Sequence, residues 1–320
     1  RLKAVVFSPR TAKMSFRRLL AVVVGARICS GATTSSFLAV SSRDFVFRGK
    51  TVFLSGANQP WLSYGWDFGN NQPRSNTCAL QSYIRNVSAA GGNSIRMWVF
   101  IEGRHIPQYD QNGNVIATDK SKTLIPDLRR YIRFAASQNV FVNLCLWNGA
   151  KMQHFWESNV AAFFDPKDGD SKLTSFIDNV LTPMVHALKD EPGLMAWEIM
   201  NEPEGSVQTG IVDDEPCFDT TTLEGFQSCV GCAPDWTKGD IPMRRLQKFV
   251  NRQSAAIKAA DPKALVTVGA WAVYAATDQQ LSPPPGHAEG GSATAGGSPR
   301  KWFFDYWKDE CLVKAGGLAT

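Results

Sequence analysis

The sequence has little of what would mark several functional classes. Basic charge is scarce outside one short segment. Seven of the 34 basic residues (Arg1, Lys3, Arg10, Lys13, Arg17, Arg18 and Arg27) fall within positions 1–30, which hold no acidic residue; the other 27 face 29 acidic ones, a net of −2. A nearly neutral body lacks the basic face that nucleic-acid binding requires. Beyond the amino-terminal segment no apolar run here is long enough to span a bilayer, so the mature form is expected not to be a membrane protein. No glycine-rich phosphate loop follows the first strand pattern, which weakens a dinucleotide-binding reading. The four histidines (His105, His154, His186 and His287) show no metal-ligand spacing. Asp110-Gln111-Asn112-Gly113-Asn114 lacks the later glycine and acid of a calcium loop. There is no serine-centred nucleophile elbow and no solenoid-type repeat. The reading therefore includes no cofactor, no metal and no nucleic-acid partner.

What is present begins with the amino-terminal charge. Met14-Ser-Phe-Arg17-Arg18, the apolar LLAVVVGA (19–26) and the small residues CSGA (29–32) have the pattern of a secretory signal peptide over 14–32. Residues 1–13 precede that methionine and read as an upstream segment foreign to the fold. Removing the leader removes Cys29 and leaves six of seven cysteines. In a secreted protein these point to structural disulfides, with fifteen connectivities open if all pair. Cys217, Cys229 and Cys232 cluster in one polar stretch; zinc or redox use of Cys229-Val-Gly-Cys232 is the weaker alternative. Cys145 lies in an apolar run and reads as a buried thiol. Asn86-Val-Ser88 is a glycosylation acceptor set within a helical pattern.

From residue 44 the chain alternates between two periods. RDFVFRGKTVFLSG (43–56) reads as a hairpin turning at Arg48-Gly49, its second arm a strand, and QNGN (111–114) as a second hairpin turn. Apolar strand-like runs follow at NSIRMWVF (93–100), NVFVNLCLW (139–147), GLMAWEIMN (193–201) and ALVTVGAW (264–271). Between them, helical periodicity runs over 76–90, 122–138, 171–189 and 242–259. Strands alternating with helices of this length imply βαβ units and a parallel sheet of five strands. Two topologies satisfy that pattern: a (β/α)₈ barrel and an open doubly wound sheet. Residues 203–240 read as a surface loop tied by disulfides, and 282–299 (SPPPGHAEGGSATAGGSP) as a low-complexity insert.

The candidate chemistry lies at the strand ends. In WEIMNEPEG an apolar run delivers Asn201 and Glu202, and Pro203 stops it. A carboxyl partly withdrawn from water at a strand mouth has its pKa raised, which suits a general acid. Asn201 offers a donor and an acceptor for a sugar hydroxyl. Trp61, Trp98, Trp147 and Trp271 fall at the ends of the first, second, third and fifth strands, Trp147 with Asn148 beside it; indole faces suit the apolar faces of sugar rings. Trp197, in mid-strand, is assigned to packing. Arg96 interrupts an apolar run and needs a partner, either in a structural ion pair or as the cation that keeps an active-site carboxylate ionised.

FLSGANQPW (53–61), GGNSIRMWVFIEG (91–103), LWNGA (146–150), WEIMNEPEG (197–205) and VTVGAW (266–271) together resemble glycoside hydrolase family 5, and most of all the secreted digestive β-mannanases of invertebrate animals. The resemblance spans residues 44–317, broken by the insert and resumed at CLVKAGG (311–317). It implies a (β/α)₈ TIM barrel over 44–320, retaining hydrolysis of β-1,4-mannosidic bonds in a plant polysaccharide, and a secreted monomer. Glu202 matches the acid/base, Asn201 the residue that binds the 2-hydroxyl of the reacting sugar, and Arg96 the arginine near the nucleophile. Trp147 occupies a region where many relatives have histidine. The family's nucleophilic glutamate lies on a seventh strand, whereas this chain supplies about five, so the barrel is expected to be truncated and inactive alone. A β-1,4-glucanase (cellulase) and a non-catalytic carbohydrate-binding remnant are the alternatives.

Overall fold

The computed structural model describes residues 36–72, 74–149, 159–223, 241–271, 275–279 and 303–320. The upstream segment 1–13, the expected leader 14–32, the insert 282–299 and the cysteines at 29, 229 and 232 lie outside the described residues.

The hairpin expected over 43–56 forms. Strands β1 (Ala39–Ser41), β2 (Asp44–Phe47) and β3 (Lys50–Val52) make a small antiparallel sheet. Its turn has positive φ at both Arg48 (51°) and Gly49 (73°), the requirement of a two-residue turn that matches strand twist. This sheet is separate from the central one, whose first strand is the short β4 (Gly56–Asn58) just beyond the hairpin.

From there the chain alternates as its periodicity predicts. Helix α1 (Arg74–Ala89) leads to β5 (Ser94–Ile101); a hairpin of β6 (Gln108–Tyr109) and β7 (Val115–Ala117) precedes α2 (Leu124–Ser137) and β8 (Phe141–Asn148). Then come α3 (Gly169–Phe176), α4 (Thr182–Leu188), β9 (Leu194–Asn201), α5 (Met243–Ala260), β10 (Val266–Gly269) and α6 (Asp309–Gly316). The single helix expected over 171–189 is interrupted between α3 and α4 by a π-turn at Ile177–Leu181. Pro183 lacks an N–H and its ring would crowd the carbonyl four residues back, so the wider turn absorbs it. The apolar face survives the interruption: Leu173, Phe176, Val180, Met184 and Leu188 are all buried.

Topology decides between the two competing arrangements. The central sheet runs β10-β9-β8-β5-β4, every pair parallel, each strand beside its predecessor among the five. A doubly wound sheet reverses its strand order at a switch point; this one does not. The five strands form part of a (β/α)₈-type barrel, with helices on one face and their apolar side chains in one continuous core. The loop after β9 is anchored by a disulfide between Cys217 and Cys311 of α6, 94 residues apart. Cys145 is a buried free thiol and Cys78 an exposed one. Among the described residues no helix is long and apolar enough to cross a membrane.

Candidate active site

Parallel pairing sets the polar residues of successive strands level. Asn58 of β4 lies opposite Arg96 of β5, and Arg96 opposite Asn143 of β8. Glu198 of β9 lies opposite Cys145 of β8. Arg96 donates from Nε to Glu198 Oε2 at 2.8 Å, from Nη2 to Glu198 Oε1, from Nη2 to Asn201 Oδ1 at 2.8 Å and from Nη1 to Asn58 Oδ1 at 3.1 Å. Asn143 Nδ2 adds a bond to Glu198 Oε2 at 2.7 Å. The Glu198 side chain is only 3% exposed, so it depends on these donors. Burial disfavours the Arg96 charge, but the hydrogen bonds and charge of Glu198 outweigh it and raise the guanidinium pKa. Gly269 of β10 makes room for the pair, since a Cβ there would fall 2.1 Å from Glu198 Oε1. Arg96 thus holds a carboxylate, but one the sequence reading missed. The signal was there: a lone acid inside one apolar strand and a lone base inside another.

Strict alternation breaks near the strand ends. Asn143 and Cys145 of β8 face Arg96 and Glu198, and the next residue to join this polar face is Asn148, three positions on. On β9 the same step of three separates Glu198 from Asn201. The β5–β8 register shifts between Trp98 and Ile101, at the same level. The slip carries Trp147 out of the site. It was expected as a substrate platform, yet it is 0% exposed, stacked on Phe100 and edge-on to Phe163, Phe176 and Phe249, with its indole N–H on Gln253 of α5 at 2.9 Å. Trp147 is a core residue. Asn148 takes the place at the site but is 3% exposed: Nδ2 donates to Glu102 Oε1 at 2.8 Å, and Oδ1 accepts from Asn201 Nδ2 at 3.3 Å. Both ends of its amide are taken up by neighbouring side chains. Glu102 also accepts from the Tyr64 hydroxyl, and burial is the main cause that pushes the Tyr64 phenol upward. Neither Glu102 nor Tyr64 stood out in the sequence as part of this network.

Glu202 follows Asn201 with φ 48° and ψ 56°, a left-handed conformation uncommon for a residue with a Cβ. Its N–H is tied to Gly269 O at 2.6 Å, and Pro203 begins a one-turn helix at Pro203–Ser206. The chain therefore leaves β9 abruptly, with the Glu202 carboxyl beside Asn201, whose Nδ2 donates to Oε2 at 3.2 Å. Partial burial raises the Glu202 pKa and the Glu198 charge adds to the rise; the Asn201 bond and Arg96 moderate it. Of the four carboxyls described here, Glu102, Glu198 and Glu204 are buried, and Glu202 alone is partly exposed.

The other tryptophans expected at strand ends differ in exposure. Trp61 is partly exposed and lies edge-on to Trp98 and Tyr64, with centroids 5.2 and 4.9 Å away. Trp98 is 8% exposed and has the Arg96 guanidinium 5.4 Å from its ring. Trp271, partly exposed beyond β10, is placed by a carboxyl that the sequence did not single out: its backbone N–H donates to Glu204 Oε2 at 2.9 Å, while Trp307 Nε1 donates to Oε1 at 2.7 Å. Full burial raises the Glu204 pKa to about 7 despite these two donors. Trp197 is buried in the core, as expected.

Among the described residues no cluster of histidine, cysteine, aspartate and glutamate could hold a metal ion. What remains is one partly exposed carboxyl with a raised pKa, an amide beside it, a fixed cation behind it and an indole wall nearby. That set can deliver a proton to an oxygen bridging two sugar rings.

The family model described as Cellulase (glycosyl hydrolase family 5) matches residues 50–292. The chain is 42% identical to a mannan endo-1,4-beta-mannosidase of Cryptopygus antarcticus, over 92% of this chain and 68% of that one. It is 39% identical to the Mytilus edulis protein of the same name, over 88% and 67%. The crystal structure of the Cryptopygus antarcticus beta-1,4-D-mannanase superposes with a TM-score of 0.75 at 43% identity, covering 88% of this chain and 68% of that one.

Proposed function

The chain belongs to glycosyl hydrolase family 5, and we propose that it carries the acid/base half of a retaining glycosidase whose substrate is β-1,4-linked mannan. The observation that supports this above all is Glu202: a partly exposed carboxyl, its pKa raised by burial, held beside Asn201 at the mouth of β9. In retaining hydrolysis two carboxyls stand about 5–5.5 Å apart. The first protonates the leaving oxygen as the second attacks the anomeric carbon; the first then takes a proton from water as it displaces the second. Glu202 fits the first role. Glu102, Glu198 and Glu204 are each taken up by protein donors, so we place the nucleophile outside the described residues. Asn201 would bond the 2-hydroxyl of the reacting sugar, with Arg96 as the neighbouring cation. Trp61 and Trp271 would cover ring faces. Mannan is preferred over cellulose because the relatives at 42% and 39% identity carry the mannosidase name.

The test is reducing-end release from galactomannan and from cellulose by the full natural chain. Mannan should be cleaved in preference, and Glu202→Gln should lower the rate by about 10²–10⁴, the range for a lost general acid. Faster cleavage of cellulose, or an active Glu202→Gln, would overturn the reading. We read the mature protein as a secreted monomer with the barrel domain from residue 44, and the Cys217–Cys311 disulfide fits an oxidising compartment. Amino-terminal sequencing of secreted protein should begin just after residue 32.

A further inference from the structure

Two side-chain amides lie between Glu202 and the rest of the polar network, and the groups at either end allow each amide one orientation. We propose that Glu102 is a positioning residue that acts through Asn148 and Asn201 to decide which oxygen of Glu202 is left free to carry the proton. The proposal deepens the acid/base reading of Glu202 and rests on it for its bearing on catalysis.

The argument follows donors and acceptors. A carboxylate only accepts and a guanidinium only donates, whereas a side-chain amide has one end of each kind. Glu102 is 4% exposed, and its Oε1 accepts from both the Tyr64 hydroxyl and Asn148 Nδ2. With its amino end committed to Glu102, Asn148 presents Oδ1 to Asn201 Nδ2 at 3.3 Å. At the far end Arg96, clamped by Glu198, donates Nη2 to Asn201 Oδ1 at 2.8 Å. Turning Asn148 over would set its oxygen against Glu102 and its amino group against that of Asn201. Turning Asn201 over would set its amino group against Arg96 and its oxygen against Asn148 Oδ1. Both end groups are buried or half-buried, so water cannot readily replace the lost partners. Asn201 Nδ2 is thereby aimed at Glu202 Oε2, 3.2 Å away. An oxygen that already accepts a hydrogen bond is the poorer site for a proton, and Oε1 is left to carry it.

The experiment uses the full natural chain. The charged groups facing Glu202 are Arg96 from β5, Glu198 from β9 and Glu204 from the turn that follows, and all are kept. Glu102→Ala removes the acceptor that orients Asn148; Asn148→Leu removes both ends of the amide, so that Glu102 can no longer act on Asn201. Glu102→Gln retains an amide oxygen that can accept the same two bonds. The Glu202 carboxyl is followed by carbon NMR titration, and kcat and KM on manno-oligosaccharide are measured across pH. Losing the Asn201 bond, which favours the ionised form, should move the Glu202 titration to higher pH in Glu102→Ala and Asn148→Leu. It should also lower kcat about tenfold with KM within about twofold, the scale of one lost hydrogen bond. Glu102→Gln should restore most of both effects. An unmoved Glu202 titration in both disruptive variants overturns the proposal, as does a Glu102→Gln that behaves like Glu102→Ala. Asn148→Leu keeps the test decisive if Glu102→Ala fails to fold. The titration needs no substrate: if it moves in a protein that does not cleave mannan, positioning stands and the mannanase reading fails.

Discussion

Arg96 and Glu198 form a two-pronged ion pair that reaches from β5 to β9 across the intervening β8, with Nε to Oε2 at 2.8 Å. One strand's lone base and another's lone acid satisfy each other inside a largely apolar sheet, and Asn201 hangs from the same guanidinium.

The pair predicts an asymmetric response to mutation. Arg96→Met should destabilise the fold by about 3 kcal/mol, because Glu198 is left buried without a cation, facing neutral partners such as the Asn143 amide. Replacing both residues by methionine should cost much less. Urea unfolding of the two single variants and the double variant measures the difference as a coupling energy.

The tryptophans should divide by role. Trp147→Ala removes a fully buried indole and should cost about 3–5 kcal/mol of stability. Trp61→Ala, at a partly exposed ring, should leave stability within about 1 kcal/mol and weaken manno-oligosaccharide binding about tenfold. Thermal unfolding and fluorescence titration separate the two effects; equal loss of binding with unchanged stability in both would contradict the assignment of Trp147 to the core.

Glu204 should make stability depend on pH. Its folded pKa of about 7 lies above the ordinary 4.5, so the folded state binds the proton more tightly than the unfolded chain. The stabilisation is full below pH 4.5 and is lost as pH rises through about 7. Its size is on the order of 3 kcal/mol. Unfolding free energies at pH 5 and pH 8 should differ in this direction, and Glu204→Gln should shrink the difference. Near-ultraviolet circular dichroism should register the change, because the carboxyl holds Trp307 and the backbone of Trp271.

The disulfide should matter out of proportion to its surroundings. Cys217–Cys311 closes a separation of 94 residues, and freeing that much unfolded chain costs about 4.7 kcal/mol in the loop-entropy account. Cys311→Ser, or reduction, should lower the melting temperature and expose the 303–316 segment to proteolysis; an unchanged melting temperature would show that α6 is held by its packing on α5 alone.

The sequence by itself determined the order of elements, the parallel sheet and the strand end that carries Asn201 and Glu202. These follow from hydrophobic period and from the backbone habits of proline, which act over a few residues. The π-turn before Pro183, the pairing of Arg96 with Glu198 and the choice of Cys311 as the partner of Cys217 were left to the tertiary structure. Arg96 and Glu198 stand 102 positions apart, and only the register of three parallel strands brings them level. Trp147 shows the limit most clearly. Its place at a strand end was legible, but its side of the sheet was not, because a one-residue slip between Cys145 and Asn148 sent the indole into the helical layer and the amide into the site. Alternation along a strand is a local rule, and the register shift that breaks it is settled by the neighbouring strand.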